Sequence, residues 1–596
     1  MNNNSQIINF VKMYELKTAL KEFQVKTVEW MLKQEIKYDG GLLMNEAGLG
    51  KSISVLSTIV RSPMKTLIVC PAGLVDNWIN EIKIHSNITN DKIVKYYGNE
   101  RHKIDIKDEM ICVTSYSIIS REFIGNEFIK KSIFNKMKFG RIVLDEAHYI
   151  RNVYSDINKS ITFLGGLYDL NIKKWVVTAT PIFNSYNDMF AYFRFLGLEG
   201  IDSKSEWNKR ISKSLDGFET LNNWIDKYGI SMKKAKVLKE LTDKNENIME
   251  LEFTSLESDF YNALREYSQI RMKSIMKRIN NLNKEAFNDV SMKKILHNNV
   301  MVYILRLKQA CNSPWLIFKY MNRLKGVVSV EDAISKLNYY NSSLNMEEEC
   351  PICYDTTANY IAKPCGHKCC EQCWNKMFNA GIVNCPKCRE YVEEIKCIDV
   401  DSVAENEITV NDIEKTAKIQ KIVDITLNVV KKNEKIIIVS QWVSMLDIIR
   451  NIFETHPELS GLKHISLQGN ISLKNRTMAI KKFESDENVK VCFISLMSSA
   501  EGINLVSANH LILVDSWWNN SKMSQVMDRI HRIGQMKSVY IYKFQIKSSI
   551  EEKIVELVKK KEKITSLVLN KWNIKDKSSY DMTWMKNIIK LIDKPN

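Results

Sequence analysis

Four groups of residues in this 596-residue chain have types and spacings that can do chemistry. The first is a glycine-bearing loop. Gly40-Gly41-Leu42-Leu43 reads as a strand, and Met44-Asn45-Glu46-Ala47-Gly48-Leu49-Gly50-Lys51-Ser52 reads as a loop. Ile53, Val55, Leu56 and Ile59 then form the apolar face of a helix. Strand, loop and helix in that order make a phosphate cradle, because loop N–H groups and the helix N-terminus point at an anion. Lys51 would reach the β- and γ-phosphates, and Ser52 would hold Mg2+. The strict G-x-x-x-x-G-K pattern wants glycine where Asn45 stands, so a Gly-rich turn is the plain alternative.

The second group is Asp145-Glu146-Ala147-His148, directly after the apolar run Ile142-Val143-Leu144. A carboxylate at the C-terminal end of a parallel strand, facing such a loop, is where a second Mg2+ ligand belongs. Glu146 would orient or deprotonate the attacking water. Alone, an acidic pair after a strand is a helix cap. The third group lies in Gln525-Val526-Met527-Asp528-Arg529-Ile530-His531-Arg532-Ile533-Gly534-Gln535. Arg529 and Arg532 share a helical face and can reach across a cleft to neutralise a γ-phosphoryl group. Without a nucleotide site opposite, they are a solvated basic helix.

The fourth group is thiols. Of thirteen cysteines, eight lie between Cys350 and Cys388 with one histidine among them. The order is Cys350-x2-Cys353-x11-Cys365-x-His367-x2-Cys370-x2-Cys373-x11-Cys385-x2-Cys388. Eight ligands make two four-coordinate Zn2+ sites, and clustered C-x-x-C pairs read as metal ligands of a reducing compartment.

These groups need elements to hold them. From 19 to 200, short β-branched runs such as Thr66-Leu67-Ile68-Val69-Cys70 and Trp175-Val176-Val177 alternate with helical patterns. That is the pattern of a buried parallel sheet. It predicts an α/β lobe over 19–200 and a helical region over 201–340. A zinc module follows at 345–395, then a second α/β lobe at 412–570 with runs such as Lys435-Ile436-Ile437-Ile438-Val439. Residues 1–18 and 571–596 are expected to be tails. Ile419, Ile422, Val423, Thr426 and Val430 fall on one helical face, and Ser549 with Glu552 forms a capping-box pattern. The chain is 45% hydrophobic and 26% charged, which excludes a disordered, collagen-like or fibrous protein. No apolar run approaches the roughly 18 residues of a membrane span, and the polar start Met1-Asn2-Asn3-Asn4-Ser5 carries no secretory pattern. No membrane partner is expected. A net charge of +16 favours a polyanionic partner such as nucleic acid, although Ile and Asn abundance also fits AT-rich coding DNA, which inflates lysine.

In this order the pieces resemble superfamily 2 helicase-like ATPases of the Swi/Snf type. The resemblance includes Leu20-Lys21-Glu22-Phe23-Gln24 with Trp30, and Cys70-Pro71-Ala72-Gly73-Leu74 with Trp78 and Glu81. It continues through Thr178-Ala179-Thr180-Pro181-Ile182 with Asn184, and Leu305-Arg306-Leu307-Lys308-Gln309-Ala310-Cys311-Asn312 with Pro314. It extends over Val439-Ser440-Gln441-Trp442, Gly469 with Arg476, Glu501-Gly502-Ile503-Asn504-Leu505 and Asp515-Ser516-Trp517-Trp518-Asn519. The match runs from Leu20 to about residue 570. It implies two RecA-like P-loop lobes with helical insertions, which bind ATP with Mg2+ between them and grip double-stranded DNA across both. It also implies that Gln24 contacts adenine, with Asn45, Glu46, Ala47, Gly48, Leu49, Gly50, Lys51, Ser52 and Gln525 completing the nucleotide site. His148, Thr178, Thr180 and Gly502 would couple hydrolysis to movement. Ser52 for threonine, Ala179 for glycine and Lys233-Lys234 for paired arginines depart from the family without removing a catalytic group.

The thiol spacing resembles the C3HC4 RING finger. RING topology implies that Cys350, Cys353, Cys370 and Cys373 hold one zinc and Cys365, His367, Cys385 and Cys388 the other. Cys369 is left as a small buried residue, and zinc supplies most of the folding energy of so short a module. RING ligases hold a ubiquitin-charged conjugating enzyme in a reactive pose. The family's docking face corresponds to Ile352, the helix around Trp374 to Phe378, Pro386 and Arg389. A RING between the lobes resembles the subgroup of the helicase-like transcription factor and the postreplication-repair ligases that ubiquitylate the replication sliding clamp. A DNA-end-reading domain before Leu20 and a chromatin-reading module are expected to be missing. The compact, Lys/Ile/Asn-rich form resembles versions from large DNA viruses. Nuclear residence, or a cytoplasmic viral replication site, follows. Three functions compete: a duplex-DNA translocase with ubiquitin-ligase activity, a remodeller whose RING only docks proteins, and an RNA helicase. The Trp517-Trp518 segment and the inserted helices argue against the third.

Overall fold

The computed structural model describes the chain except residues 1–13, 105–109, 168–170, 183–185, 215, 239–240, 285–289, 319–328, 343–349, 354–357, 359, 387, 398–415, 469–470, 472, 497–504, 518–519, 533, 557 and 560–596. The expected tails and the motif residues Asn184, Gly469, Gly502, Trp518 and Asn519 lie wholly or partly outside the described residues.

The first lobe is built on strands β1 (Gly40–Leu43), β2 (Thr66–Cys70), β3 (Ile93–Lys95), β4 (Ile111–Ser115), β5 (Arg141–Asp145), β6 (Lys173–Val177) and β7 (Gly229–Ile230). They form one parallel sheet in the order β3-β4-β2-β5-β6-β1-β7. Its central strands are buried throughout, which is why they read as continuous apolar runs. The register sets Leu43 and Asp145 level with Val177, so the glycine loop, the acidic pair and Thr178 leave the sheet at one end. The helix Glu22–Tyr38, which carries Gln24, is pinned to the sheet by a buried ion pair. Arg141 Nε and Nη2 donate to the two carboxylate oxygens of Glu35 at 2.6 and 2.7 Å, and Trp175 Nε1 donates to Glu35 Oε1 at 2.8 Å.

The second lobe is a parallel sheet of β8 (Lys244–Leu251), β9 (Ile436–Ser440), β10 (Lys463–Leu467), β11 (Val489–Ser495), β12 (His510–Leu513) and β13 (Val539–Ile546), in the order β8-β13-β12-β9-β11-β10. Here the structure differs from the expected helical region over 201–340. β7 closes the first sheet and β8 edges the second. β8 reads Lys-Asn-Glu-Asn-Ile-Met-Glu-Leu and is largely exposed, so no apolar pattern announces it. Between them the chain crosses from one lobe to the other. The rest of the region is helical, with long helices at Ser255–Lys284 and Val290–Ala310.

Two helix details also differ. The helix Ala417–Lys431 buries Lys418, Ile419, Ile422, Ile425, Thr426 and Val429, with Val423 packed against the same core, so the inner face also takes in Lys418, Ile425 and Val429. Lys418 is buried because its ammonium donates to Asn312 Oδ1 at 2.7 Å, the Val514 carbonyl at 2.8 Å and Glu551 Oε1 at 2.8 Å. Ser549 Oγ accepts from the Glu551 amide at 3.1 Å, and the inward carboxylate is that of Glu551 rather than of Glu552.

The zinc module lies between the lobes in sequence, with strands Tyr360–Lys363, Lys368–Cys369 and Glu394–Cys397 and the helix Glu371–Asn379. It is not free-standing. One apolar core runs from Phe260, Tyr267 and Tyr303 on the long helices through Ile352, Trp374 and Met377 to Ile550 and Ile554 after β13.

Replacing Glu35 with alanine leaves the Arg141 guanidinium buried without its counter-charge. The first lobe is expected to lose about 3–5 kcal/mol, read as an earlier urea transition of that lobe with the zinc module unaffected.

Candidate functional site

The glycine loop is shaped by two residues in the left-handed region, Gly48 at φ +83° and Gly50 at φ +73°. A side chain at either would intrude. A Cβ on Gly50 would lie 2.4 Å from Gln24 Nε2, and one on Gly48 would lie 3.1 Å from Lys234 Cε. Asn45 needs no such freedom, which explains how the loop tolerates it. Its side chain faces the protein, accepting from the Met232 amide at 2.9 Å and donating to Thr27 Oγ1 at 3.3 Å. Asn45 therefore braces the loop and presents no side chain to a nucleotide. Gln24 sits against the loop, its Nε2 3.4 Å from the Leu49 carbonyl. Lys51 opens the helix Lys51–Arg61 with Ser52 beside it, and its ammonium donates to the carbonyls of Asn45 and Glu46 at 3.0 and 3.4 Å. Burial lowers the Lys51 pKa, and the charges of Glu146, Asp145 and Asp528 work against that shift.

Asp145 ends β5 inside this cradle. Trp78 Nε1 donates to its Oδ2 at 2.8 Å, and the Glu146 amide donates to its Oδ1 at 2.9 Å. Burial first, then the Glu146 charge, raises Asp145 to about 6. For Glu146, burial is outweighed by His148, whose Nδ1 lies 3.3 Å away, and by Lys51 and Arg529, so it is held at about 2. Burial thus drives Asp145 towards its neutral form, while the cationic neighbours keep Glu146 ionised. Glu146 also adopts φ +50°, a conformation that favours glycine, at the very residue expected to handle water.

The second lobe closes the cleft. Its helix Asn520–Ile530 carries Gln525, Asp528 and Arg529, with His531 and Arg532 following. Arg529 is buried among the charges of Glu146, Asp528 and Asp145, while Arg532 lies against Gly48, its Cβ 3.5 Å from where a Cβ there would be. A cavity of about 470 Å³ is lined by Glu46, Ala47, Thr180, Lys234, Gln525 and Asp528 among others. Thr178 Oγ1 accepts from the Thr180 amide at 3.1 Å. The structure thus brings together Gln24, Lys51, Asp145, Glu146, His148, Thr178, Thr180, Gln525, Arg529 and Arg532. Gly502 is outside the described residues.

Two residues had no assigned role in the sequence. Trp78 orients Asp145, and only its place in a resembling motif hinted at it. Lys234 is the second. Its amide donates to Glu46 Oε2 at 2.6 Å, and its ammonium pairs with Asp528 and donates to the His531 carbonyl at 2.9 Å. One lysine so ties the glycine loop to the arginine helix.

The cysteine ligands form two groups, Cys350, Cys353, Cys370, Cys373 and Cys365, His367, Cys385, Cys388, with ligand atoms in each group within 4.8 Å of one another. This interleaving is the one RING topology implies. Cys353 Sγ and Cys370 Sγ are 3.8 Å apart, too far for a disulfide and close to the edge of a zinc–thiolate tetrahedron. His367 Nδ1 is buried with no hydrogen-bond partner, as a metal-ligating nitrogen would be. The donor set fits Zn2+. Cys369 is buried, as a small apolar side chain would be. Of the docking residues, Arg389 is exposed and Pro386 half-buried, but Ile352 is 0% exposed, so the structure does not present it on a surface.

Burial pushes Asp145 up to about 6, and a proton there would compete with a Mg2+ held by its carboxylate. Mg2+-dependent nucleotide affinity is expected to fall about tenfold per pH unit below that value. Because the Trp78 hydrogen bond lowers the Asp145 pKa, Trp78→Phe is expected to move the onset to higher pH, measured by nucleotide titration across pH 5–8.

Comparison with known proteins follows this geometry. The SNF2-related domain matches residues 23–316, the helicase conserved C-terminal domain residues 416–534, and the C3HC4-type (RING) zinc finger residues 346–395. Among curated proteins, the chain is 26% identical to DNA repair protein RAD5B of Arabidopsis thaliana, covering 86% of this chain and 41% of that protein. It is 26% identical to DNA repair protein RAD5A of the same plant, covering 84% and 50%. It is also 26% identical to transcription termination factor 2 of Drosophila melanogaster, covering 95% and 58%. The chain spans about half the length of the curated relatives it matches. With both halves of the helicase core and the intervening zinc module matched in order, the chain belongs to the SWI/SNF-type helicase-like family, in the branch that carries a C3HC4 RING finger between its two lobes.

Proposed function

We propose that this chain is an ATP-dependent translocase on double-stranded DNA that also acts as a RING-type ubiquitin ligase. The observation that carries the motor half is the meeting of Lys51, Asp145, Glu146, Arg529 and Arg532 in one buried cleft between two lobes. Lys51 would hold the β/γ-phosphates, Ser52 and Asp145 would hold Mg2+, and the metal would neutralise charge on the transferring phosphoryl group. Glu146, kept ionised by its neighbours, orients the attacking water and takes its proton. Arg529 and Arg532 bring cationic charge from the far side only while the lobes are closed, so nucleotide favours the closed state. Alternating closure with the lobes on the DNA backbone moves the protein along the duplex. Contacts to phosphates make that grip salt-sensitive and weakly sequence-specific.

The ligase half is supported by the complete set of RING ligands, which would hold two Zn2+, and by exposed Arg389. The RING supplies no nucleophile. It would position a charged conjugating enzyme so that a substrate lysine amine attacks the thioester carbonyl. An amide then forms, the enzyme's thiol leaves and the amine proton passes to solvent. The relatives' names support a place in DNA repair, with nuclear residence, and the sliding clamp is the substrate that the resemblance suggests. A second reading, a remodeller whose RING only docks proteins, is favoured by the burial of Ile352 and by the likeness to a transcription termination factor.

ATP hydrolysis by the purified protein is expected to rise at least about tenfold with duplex DNA, more than with single-stranded DNA or RNA, and to vanish in Glu146→Gln. Stimulation by RNA alone, or by no nucleic acid, sinks the translocase. Arg389→Ala is expected to abolish ubiquitin discharge from a matched conjugating enzyme while ATP hydrolysis persists. Discharge that survives this change favours the docking-only reading.

A further inference from the structure

The RING's apolar face is covered by the chain itself. Ile352, Trp374 and Met377 are each 0% exposed. What lies on them is the helix Val290–Ala310, whose Val300, Tyr303 and Ile304 share one core with them. The contact is specific as well as apolar. Asn299 Nδ2 donates to the Ile352 carbonyl at 3.2 Å, and Tyr303 Oη donates to the Cys353 carbonyl. Both acceptors belong to the first zinc loop, so the helix holds the loop by its backbone. Elsewhere the module is open: Arg389 is exposed, Tyr391 is 60% exposed and Val383 is 43% exposed. Coverage therefore falls on Ile352 and on the helix Glu371–Asn379, the apolar part of the surface a conjugating enzyme would need, and leaves Arg389 open.

The far end of the same helix is held by the second lobe. The Lys308 ammonium lies 5.5 Å from the Trp442 ring centre and 5.0 Å from that of Trp517, and 3.4 Å from Gln441 Oε1. Two residues past the helix, Asn312 donates to Asp515. A buried cation between two aromatic faces fixes the helix lengthwise.

We propose that the RING's apolar face is an internal interface whose occupant is the helix Val290–Ala310, and that this helix must draw back before a charged conjugating enzyme can seat on Ile352. The inference rests on the ligase reading for the identity of the displaced partner, but not for the interface itself.

The test uses the full chain carrying Asn299→Ala and Tyr303→Phe together, with Tyr303→Phe alone as the milder variant. Both remove polar ties to the zinc loop and leave the aromatic ring at position 303 and every metal ligand in place. Zinc content and ATP hydrolysis report that each variant is folded. Two readouts are compared with the wild type: amide hydrogen exchange over 350–353 and 371–379, and discharge of ubiquitin from a charged conjugating enzyme to free lysine. Loss of two hydrogen bonds of ordinary strength is expected to speed both by roughly fivefold to thirtyfold. Unchanged exchange in both variants overturns the interface whatever the discharge shows, and discharge by the wild type at the variants' rate overturns the need for the helix to draw back. Faster exchange with no discharge by any conjugating enzyme leaves the interface standing and removes the ligase reading.

Discussion

A single residue, Lys234, holds the glycine loop and the arginine helix in one cleft. Its backbone is bound by Glu46 in the loop, and its side chain by Asp528 and the His531 carbonyl in the other lobe. Everything catalytic is arranged around that tie. The arginines reach the acidic pair because their helix is held there, and Arg529 is one of the charges that hold Glu146 low against its burial. The crossing segment between β7 and β8 carries Lys234 past the mouth of the cleft, so the link between the lobes is also part of the site.

A second buried polar centre organises the far lobe. Asp515 accepts from Ser440 Oγ at 2.8 Å and from the Gln441 amide at 2.6 Å, and it also accepts from Asn312. Lys418 and Glu551 complete the set. These residues come from a helix before the RING, from helices after it, and from the strand ends of the second sheet. The network therefore joins across the RING insertion the two parts of the chain that it separates. It is fully connected, which is the condition under which buried charge can be tolerated.

What could be read from the sequence was what covalent spacing determines. The glycine loop, Asp145-Glu146, the arginine pair and the zinc ligands depend on a few residues at set intervals, so each stands out in the sequence, and the resemblance to a RING adds which thiols share a group. Central strands were legible because burial on both faces leaves unbroken apolar runs. What was not legible depended on partners far away in sequence. Trp78 meets Asp145 across 67 residues, and nothing local signals that contact. Ile352 stands at a position that is usually a docking surface, and a helix some 50 residues earlier lies against it. Lys418, polar by type, joined the inner face of the helix Ala417–Lys431 because it found a buried carboxylate. Ser549 and Glu552 matched a local motif, but Glu551 was drawn inward by the same lysine.

The strand β8 brings a demand of its own. It pairs with β13, and the ion pair between Glu246 and Lys543 joins residues 297 apart. During synthesis at roughly 5–20 residues per second, β8 waits on the order of 15–60 s for its partner to leave the ribosome. For that interval it is a solitary strand with a free hydrogen-bonding edge, the kind of segment that recruits other chains. Its composition, two glutamates, two asparagines and a lysine among eight residues, suits that wait. The polarity that hid it from a pattern search keeps a nascent chain soluble until the second sheet can be completed.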